Sequence, residues 1–231
     1  DKVTAEGKTK SGVTTQLLPT LDTISLRTPR FVMDDLSFTD LTVLGSQPEA
    51  GQWQVTLRSK ETEGSISWQL ASGALAGRVR ARFSKLELGS EPTSTEATPK
   101  IQSMNESQWS DIPAIDLTVD DFKLYGSRLG SLHLRGQNIQ RGESWNIESL
   151  EVKNPFATLS ANGKWRLKGG NRGIHLDGGI DISDLGKLTS FMGHPDRVRE
   201  GSGTVKAQID WSDFPWVFSY AGMNGKATVN L

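Results

Sequence analysis

Arg78-Val-Arg-Ala-Arg-Phe83 is the stretch whose pattern decides the fold. Val79, Ala81 and Phe83 fall on one side of an extended chain and Arg78, Arg80 and Arg82 on the other, because successive side chains of a strand point to opposite faces. The same alternation recurs upstream, in Trp53, Val55 and Leu57 against Gln52, Gln54 and Thr56, and in Ile66, Trp68 and Leu70 against Ser65, Ser67 and Gln69. Downstream it returns in Ile115/Leu117/Val119, Leu132/Leu134, Trp165/Leu167, Ile174/Leu176, Ile180/Ile182 and Val205/Ala207/Ile209/Trp211. Segments of this kind offer one apolar face and one wet face, which is the pattern of a half-exposed antiparallel sheet rather than of a doubly covered parallel one. Turns are expected at Glu63-Gly64, Asn162-Gly163, Gly169-Gly170, Asp177-Gly178-Gly179 and Asn224-Gly225.

Two segments depart from this pattern. Leu185, Leu188, Phe191 and Met192 fall at helical spacing, with Ser183 or Asp184 as N-cap and Gly193 and Pro195 as stops, so a short amphipathic helix is expected near 184–192, packed on the apolar face of the sheet. Residues 89–112 are rich in Ser, Thr, Glu and Pro and read as a mobile loop with Trp109 as an anchor. The chain also echoes itself. Asp34-Asp-Leu-Ser-Phe38 resembles Asp120-Asp-Phe-Lys-Leu124, and Gly51-Gln-Trp53 resembles Gly142-Glu-Ser-Trp145. Each copy runs on to a further strand with a Trp, Trp68 in the first and Trp165 in the second, as in a sheet extended by similar pieces. The organisation expected is one sheet over 1–231, with strand groups at 1–88 and 113–231.

Composition narrows the functions. With 26 Lys+Arg against 27 Asp+Glu among 231 residues, the basic excess that a nucleic-acid binder needs is absent. No apolar run approaches the ~18 residues of a membrane-spanning helix. The absence of Cys removes disulfides, thiolate catalysis and zinc-thiolate sites. The chain starts at Asp1 and stops within a strand pattern at Leu231, as an excerpt of a longer protein would.

No motif supplies chemistry. His194-Pro195-Asp196 matches a co-chaperone tripeptide, but no second helix follows it, and a helix stop is the better reading. The pairs Asp34/Asp35 and Asp120/Asp121 stand before strands as turn residues do, and neither has a His or third carboxylate fixed beside it. His133, His175 and His194 are too scattered for a metal site, and Gly222-Met-Asn-Gly225-Lys226 lacks the spacing of a phosphate loop. No catalytic residue, metal or cofactor is expected. Among the seven Trp, Trp53, Trp68, Trp165 and Trp211 lie on the apolar side of their strands, as ordinary core or as the aromatic lining of an apolar channel. The Arg78/Arg80/Arg82 stripe suits a solvated outer face or anionic headgroups.

The run from Asp184-Leu-Gly-Lys-Leu188 through Gly193-His-Pro-Asp-Arg-Val-Arg-Glu-Gly-Ser-Gly203, then Val205-Lys-Ala-Gln-Ile-Asp-Trp211 and Ser219 to Leu231, resembles the C-terminal region of the YhdP branch of AsmA-like proteins, relatives of TamB. Asp121-Phe-Lys-Leu-Tyr-Gly126 and Trp145-Asn-Ile-Glu-Ser-Leu-Glu-Val152 fit the same pattern. The resemblance implies a Gram-negative envelope protein, anchored in the inner membrane by a segment outside this chain and spanning the periplasm to the outer membrane. It implies a taco-shaped β-groove that carries phospholipid. It transfers no catalytic residue.

An apolar sheet face must either close into a sandwich or wrap something apolar. Each CH₂ taken from water gains ~0.8 kcal/mol, so acyl chains can be held without polar contacts. About twelve strands at ~4.8 Å would give a groove on the order of 50–60 Å long. Its expected lining is Trp53, Val55, Leu57, Ile66, Trp68, Leu70, Val79, Phe83, Leu117, Leu132, Leu134, Trp165, Leu167, Ile180, Val205, Ile209 and Trp211. Leu185, Leu188, Phe191 and Met192 of the helix are expected to plug or gate one end. A structural β-sandwich without lipid, a transmembrane barrel and a carboxylate-pair hydrolase are the competing classes; the Arg stripe argues against the barrel.

Overall fold

The computed structural model describes residues 22–33, 36–73, 76–89, 112–139, 143–166, 173–195, 197–211 and 223–230. Twelve strands form one sheet in chain order: β1 (Thr23–Met33), β2 (Leu36–Glu49), β3 (Gln52–Arg58), β4 (Thr62–Gln69), β5 (Arg78–Leu88), β6 (Ala114–Leu124), β7 (Ser127–Ile139), β8 (Ser144–Asn154), β9 (Ala157–Arg166), β10 (Gly173–Ile182), β11 (Gly203–Trp211) and β12 (Met223–Asn230). β1 and β12 are its two edges, and the sheet does not close into a barrel. The helix α1 (Leu185–Phe191) lies between β10 and β11. The Trp half of the echo falls on corresponding strands of two four-strand units, β1–β4 and β6–β9, with Trp53 and Trp68 on β3 and β4 and Trp145 and Trp165 on β8 and β9; the Asp half does not, since Leu36–Phe38 open β2 and Phe122–Leu124 close β6.

All pairings are antiparallel except β5–β6, which is parallel. Ala114 N donates to Gly77 O at 2.8 Å and Tyr125 N to Leu88 O at 2.9 Å, so β6 begins beside the start of β5. Leu88 and Ala114 therefore lie at opposite ends of 11-residue strands, a separation of roughly 35 Å at ~3.3 Å per residue, and a connection of a dozen or more residues is what a parallel pair requires. Residues 90–111, Trp109 among them, lie outside the described residues, and so does the mobile loop expected there.

Four expected turns are not turns. Gly64, Gly163, Gly178 and Gly225 sit inside β4, β9, β10 and β12, and all four belong to the apolar face. A Cβ at Gly64 would lie 2.3 Å from Phe83, one at Gly163 2.1 Å from the His175 carbonyl oxygen, one at Gly178 2.7 Å from the Ala161 Cβ, and one at Gly225 2.3 Å from the Gln208 carbonyl oxygen. Cross-strand Cβ atoms ordinarily stand about 4.5–5.5 Å apart. These glycines are therefore places of close approach on the apolar face, as interior strand glycines commonly are. Gly169-Gly170 lies outside the described residues. Bulges add bending along the strands: the register shifts between Ser46 and Glu49, Glu63 and Gly64, Val119 and Phe122, Arg135 and Gly136, and Ile147 and Leu150. Asp120 and Asp121, expected before a strand, lie within β6 at one of these bulges.

α1 starts where Asp184 accepts from Lys187 N at 2.9 Å and ends where His194 N donates to Thr189 O at 2.8 Å. It sits at one margin of the sheet, against the β8–β9 turn. Phe191 makes an edge contact with Phe156 at 6.1 Å, and the Arg128 guanidinium lies 5.0 Å from the Phe191 ring centre. Leu188 is buried, while Leu185, Phe191 and Met192 are half-buried. Neither apolar cluster of the sheet contains a helix residue, so α1 borders the apolar face rather than lying across its middle.

Candidate functional site: an apolar sheet face

Register carries the apolar face from one edge of the sheet to the other. One row of Cα partners runs Ile24, Gly45, Val55, Ile66, Ala81, Leu117, Leu134, Leu150, Ala161, Gly178, Ala207, Ala227. A second runs Leu26, Val43, Leu57, Gly64, Phe83, Val119, Leu132, Val152, Leu159, Ile180, Val205, Val229. Neither row contains a polar side chain in any of the twelve strands. A third, from β3 to β12, runs Trp53, Trp68, Val79, Ile115, Gly136, Ile147, Gly163, Leu176, Ile209, Gly225. Trp165 and Trp211 share a fourth row with Trp145, Ile174 and Met223. The residues singled out in the sequence thus fall in common rows, except Leu70, which follows β4 and is 40 % exposed, and Leu167, which lies outside the described residues.

Exposure varies along this face. In the middle, Ala81, Phe83, Leu86, Val119, Phe122 and Leu132 form a buried cluster, with Leu57, Ile66, Leu117, Leu150 and Val152 packed around it. Toward the sheet's edges it opens: Ile24 is 43 %, Leu26 42 % and Val229 54 % exposed. A second cluster, Trp145, Trp165 and Ile174, with Leu134, Ile147, Leu176 and Trp211 around it, lies near the margin opposite α1. Trp145 is a residue that alternation alone did not single out. The Gly142-to-Trp145 echo of Gly51-to-Trp53 is the signal that points to it.

The opposite face is polar and tied by cross-strand ion pairs. Arg58 meets Glu63 at 2.9 Å, Arg82 meets Asp116 at 3.0 Å, and Arg135 meets Glu148 at 3.6 Å. The Arg82 guanidinium holds the Asp116 carboxyl below its usual range. His175 is clasped on both ring nitrogens, Nδ1 by Asp210 at 2.8 Å and Nε2 by Asp177 at 3.1 Å. Two carboxylates accept only, so both hydrogen bonds form together when both nitrogens carry protons, and the hydrogen bond to Asp210 first of all raises the imidazole pKa. A hollow of about 860 Å³ on this face, over β8–β12, is lined by Glu151, Asn162, Asp177, Lys206, Gln208 and Lys226 among others, with charges of both signs.

Asp121 is bound by Arg128 Nε at 2.8 Å, and Asp34 and Asp35 lie outside the described residues. Among the described residues, no three His, Asp or Glu are grouped to hold a metal ion.

Fold and face together define a class: open, mostly antiparallel sheets with one face apolar across every strand. Within that class the chain belongs to the YhdP family, since the family model for the YhdP protein matches residues 2–231. It is similar to the intermembrane phospholipid transporter YhdP of Escherichia coli (strain K12), with 21 % identity over 204 residues, which are 87 % of this chain and 16 % of that relative. The chain therefore spans about one sixth of the relative's length. No solved structure matches. No described helix is long and apolar enough to cross a membrane.

Proposed function

We propose that this chain is a periplasmic segment of a bridge that moves phospholipids between the inner and outer membranes, holding their acyl chains against the apolar face. The observation that carries this reading is the pair of rows that cross all twelve strands without a polar side chain. Two edge-to-edge rows make a continuous wall on which a hydrocarbon tail meets no desolvated polar group and no fixed stop, so its position is free along the wall. The exposed apolar residues at both edges, Ile24, Leu26 and Val229, keep that wall continuous to its ends. Membership in the YhdP family and the transporter relative support the cargo; anchorage in the inner membrane and docking at the outer membrane belong to the longer protein. Such a role uses no catalytic group. The helix α1, expected to plug or gate one end of the groove, stands instead at a side margin between β10 and β11, and gates lipid passage over that margin.

Native mass spectrometry of the chain, purified without detergent from a Gram-negative host, tests the reading. Wild type should carry phospholipid, and Leu134→Asp and Val205→Asp, each placing a charge in a different row, should lose most of it while keeping the β-sheet circular dichroism. In the same preparation Leu188→Asp should speed lipid release to acceptor vesicles. Wild type free of lipid would overturn the reading, and unchanged release would remove the gate.

A further inference from the structure

The two margins of the sheet are chemically different. Every strand runs from one margin to the other, and all five described tryptophans, Trp53, Trp68, Trp145, Trp165 and Trp211, lie near the margin where β3, β5 and β8 begin and β4, β9 and β11 end. They come in register-matched pairs, Trp53 with Trp68 and Trp145 with Trp165. Each pair is flanked by two exposed cations. Arg78 and Arg80 bracket Val79, the partner of Trp68, and Lys164 and Arg166 bracket Trp165 in the chain. Among the described residues none of these four has a carboxylate within 4.0 Å. Glu49, held by Gln52 at 3.0 Å, and the exposed Glu143 share this margin without reaching them.

The other margin has no described Trp, and five of its cations are paired, while Lys153, Arg197 and Arg199 there have no carboxylate within 4.0 Å among the described residues. Arg58 pairs with Glu63 at 2.9 Å, Lys60 with Asp40 at 3.2 Å, Lys123 with Glu87 at 3.7 Å, Arg128 with Asp121 at 2.8 Å and Lys187 with Asp184 at 2.8 Å.

We infer that the Trp margin is the headgroup margin: a bound phospholipid keeps its tails on the apolar face and turns its phosphate over this margin toward the polar face, from which Arg78, Arg80, Lys164 and Arg166 project. This rests on the acyl-chain reading above and adds a side to it. An exposed indole such as Trp68, 44 % exposed, suits the level where hydrocarbon gives way to ester and phosphate, because its body is apolar and its N–H is a donor. The flanking cations bring positive charge that, among the described residues, no carboxylate meets within 4.0 Å, and an anionic headgroup complements it. A Trp pair with two cations, Arg78 and Arg80 of β5 beside the first pair and Lys164 and Arg166 of β9 beside the second, gives a cargo lipid two successive stations along one side.

Transfer from phosphatidylcholine vesicles onto the chain tests this, with a tail-labelled phosphatidylglycerol compared with the matching tail-labelled diacylglycerol. Wild type should prefer the phosphatidylglycerol. Combining Arg78→Gln, Arg80→Gln, Lys164→Gln and Arg166→Gln should cut that preference roughly three- to tenfold while leaving diacylglycerol uptake unchanged. Combining Arg58→Gln, Lys60→Gln, Lys123→Gln and Lys153→Gln on the other margin should leave the preference intact. Diacylglycerol uptake with no headgroup preference, or an equal loss from both variants, would overturn the headgroup margin and leave the acyl-chain wall standing. Uptake of neither lipid would overturn both.

Discussion

The two Trp pairs occupy corresponding places in the two four-strand units, yet they meet water differently. Trp145 and Trp165 are 6 % and 5 % exposed, whereas Trp68 is 44 % exposed and its partner Trp53 half-buried. The neighbours make the difference. Gly136 on β7 leaves bare backbone under the Trp145 ring, where a Cβ would lie 2.0 Å from the indole. Trp145 Nε1 also donates to Pro113 O at 3.0 Å, and Ile174 and Trp211 extend the cluster across β10 and β11. In the first unit Gly45 has only ordinary neighbours, Ile24 at 3.5 Å and Val55 at 3.6 Å, and the pair stays open. A repeated sequence signal thus makes core in one unit and accessible aromatic surface in the other.

Truncation should separate the pairs most sharply. Trp145→Ala empties a packed site and strands the Pro113 carbonyl, at a cost of about 3–5 kcal/mol. Trp68→Ala, at a half-open position, should cost about 1 kcal/mol or less. Urea denaturation of the two variants measures both, and equal costs would show that the packing contrast carries no energy.

The glycines give the next largest contrast. Gly136→Ala drives a methyl into the Trp145 ring and should destabilise by about 1–3 kcal/mol, as overpacking does. Gly45→Ala adds a methyl at van der Waals distance and should stay within about 0.5–1 kcal/mol of wild type. A Trp145→Leu background sharpens this comparison: with the ring gone, most of the Gly136→Ala cost should vanish, and its persistence would place the constraint in the backbone instead.

These contrasts mark where sequence reading stops. Alternation at Val79/Ala81/Phe83 and its repeats sorted side chains to two faces correctly, because that sorting follows from strand geometry alone. Helical spacing at Leu185 and Leu188 likewise located α1. Alternation carries no direction, so the parallel β5–β6 pair was invisible. Asn162-Gly163 and Asp177-Gly178-Gly179 resembled turns because the same residue that permits a turn also permits close approach of strands; only the neighbouring backbone tells the two apart. The burial of Trp145 depends on Gly136, Pro113 and Ile174, contacts that exist only once register is set.

The smallest expected effect belongs to a feature of the second region alone. His175 bridges β10 and β11 between Asp177 and Asp210, and its pKa is raised, first by the hydrogen bond to Asp210. A group whose folded pKa exceeds its unfolded value stabilises fully below the unfolded pKa, near 6.5 for His, and loses that contribution as pH climbs through the folded pKa. The β10–β11 region should therefore hold its amide protons less well on going from pH 6 toward pH 8, after correction for intrinsic exchange, while β3–β4, which contains no His, should show no such trend. The clasp is largely solvated, so the change is small. His175→Gln keeps a donor toward one carboxylate but cannot titrate, and should flatten the dependence. If the wild-type dependence survives in that variant, protonation of His175 is not what fastens these strands.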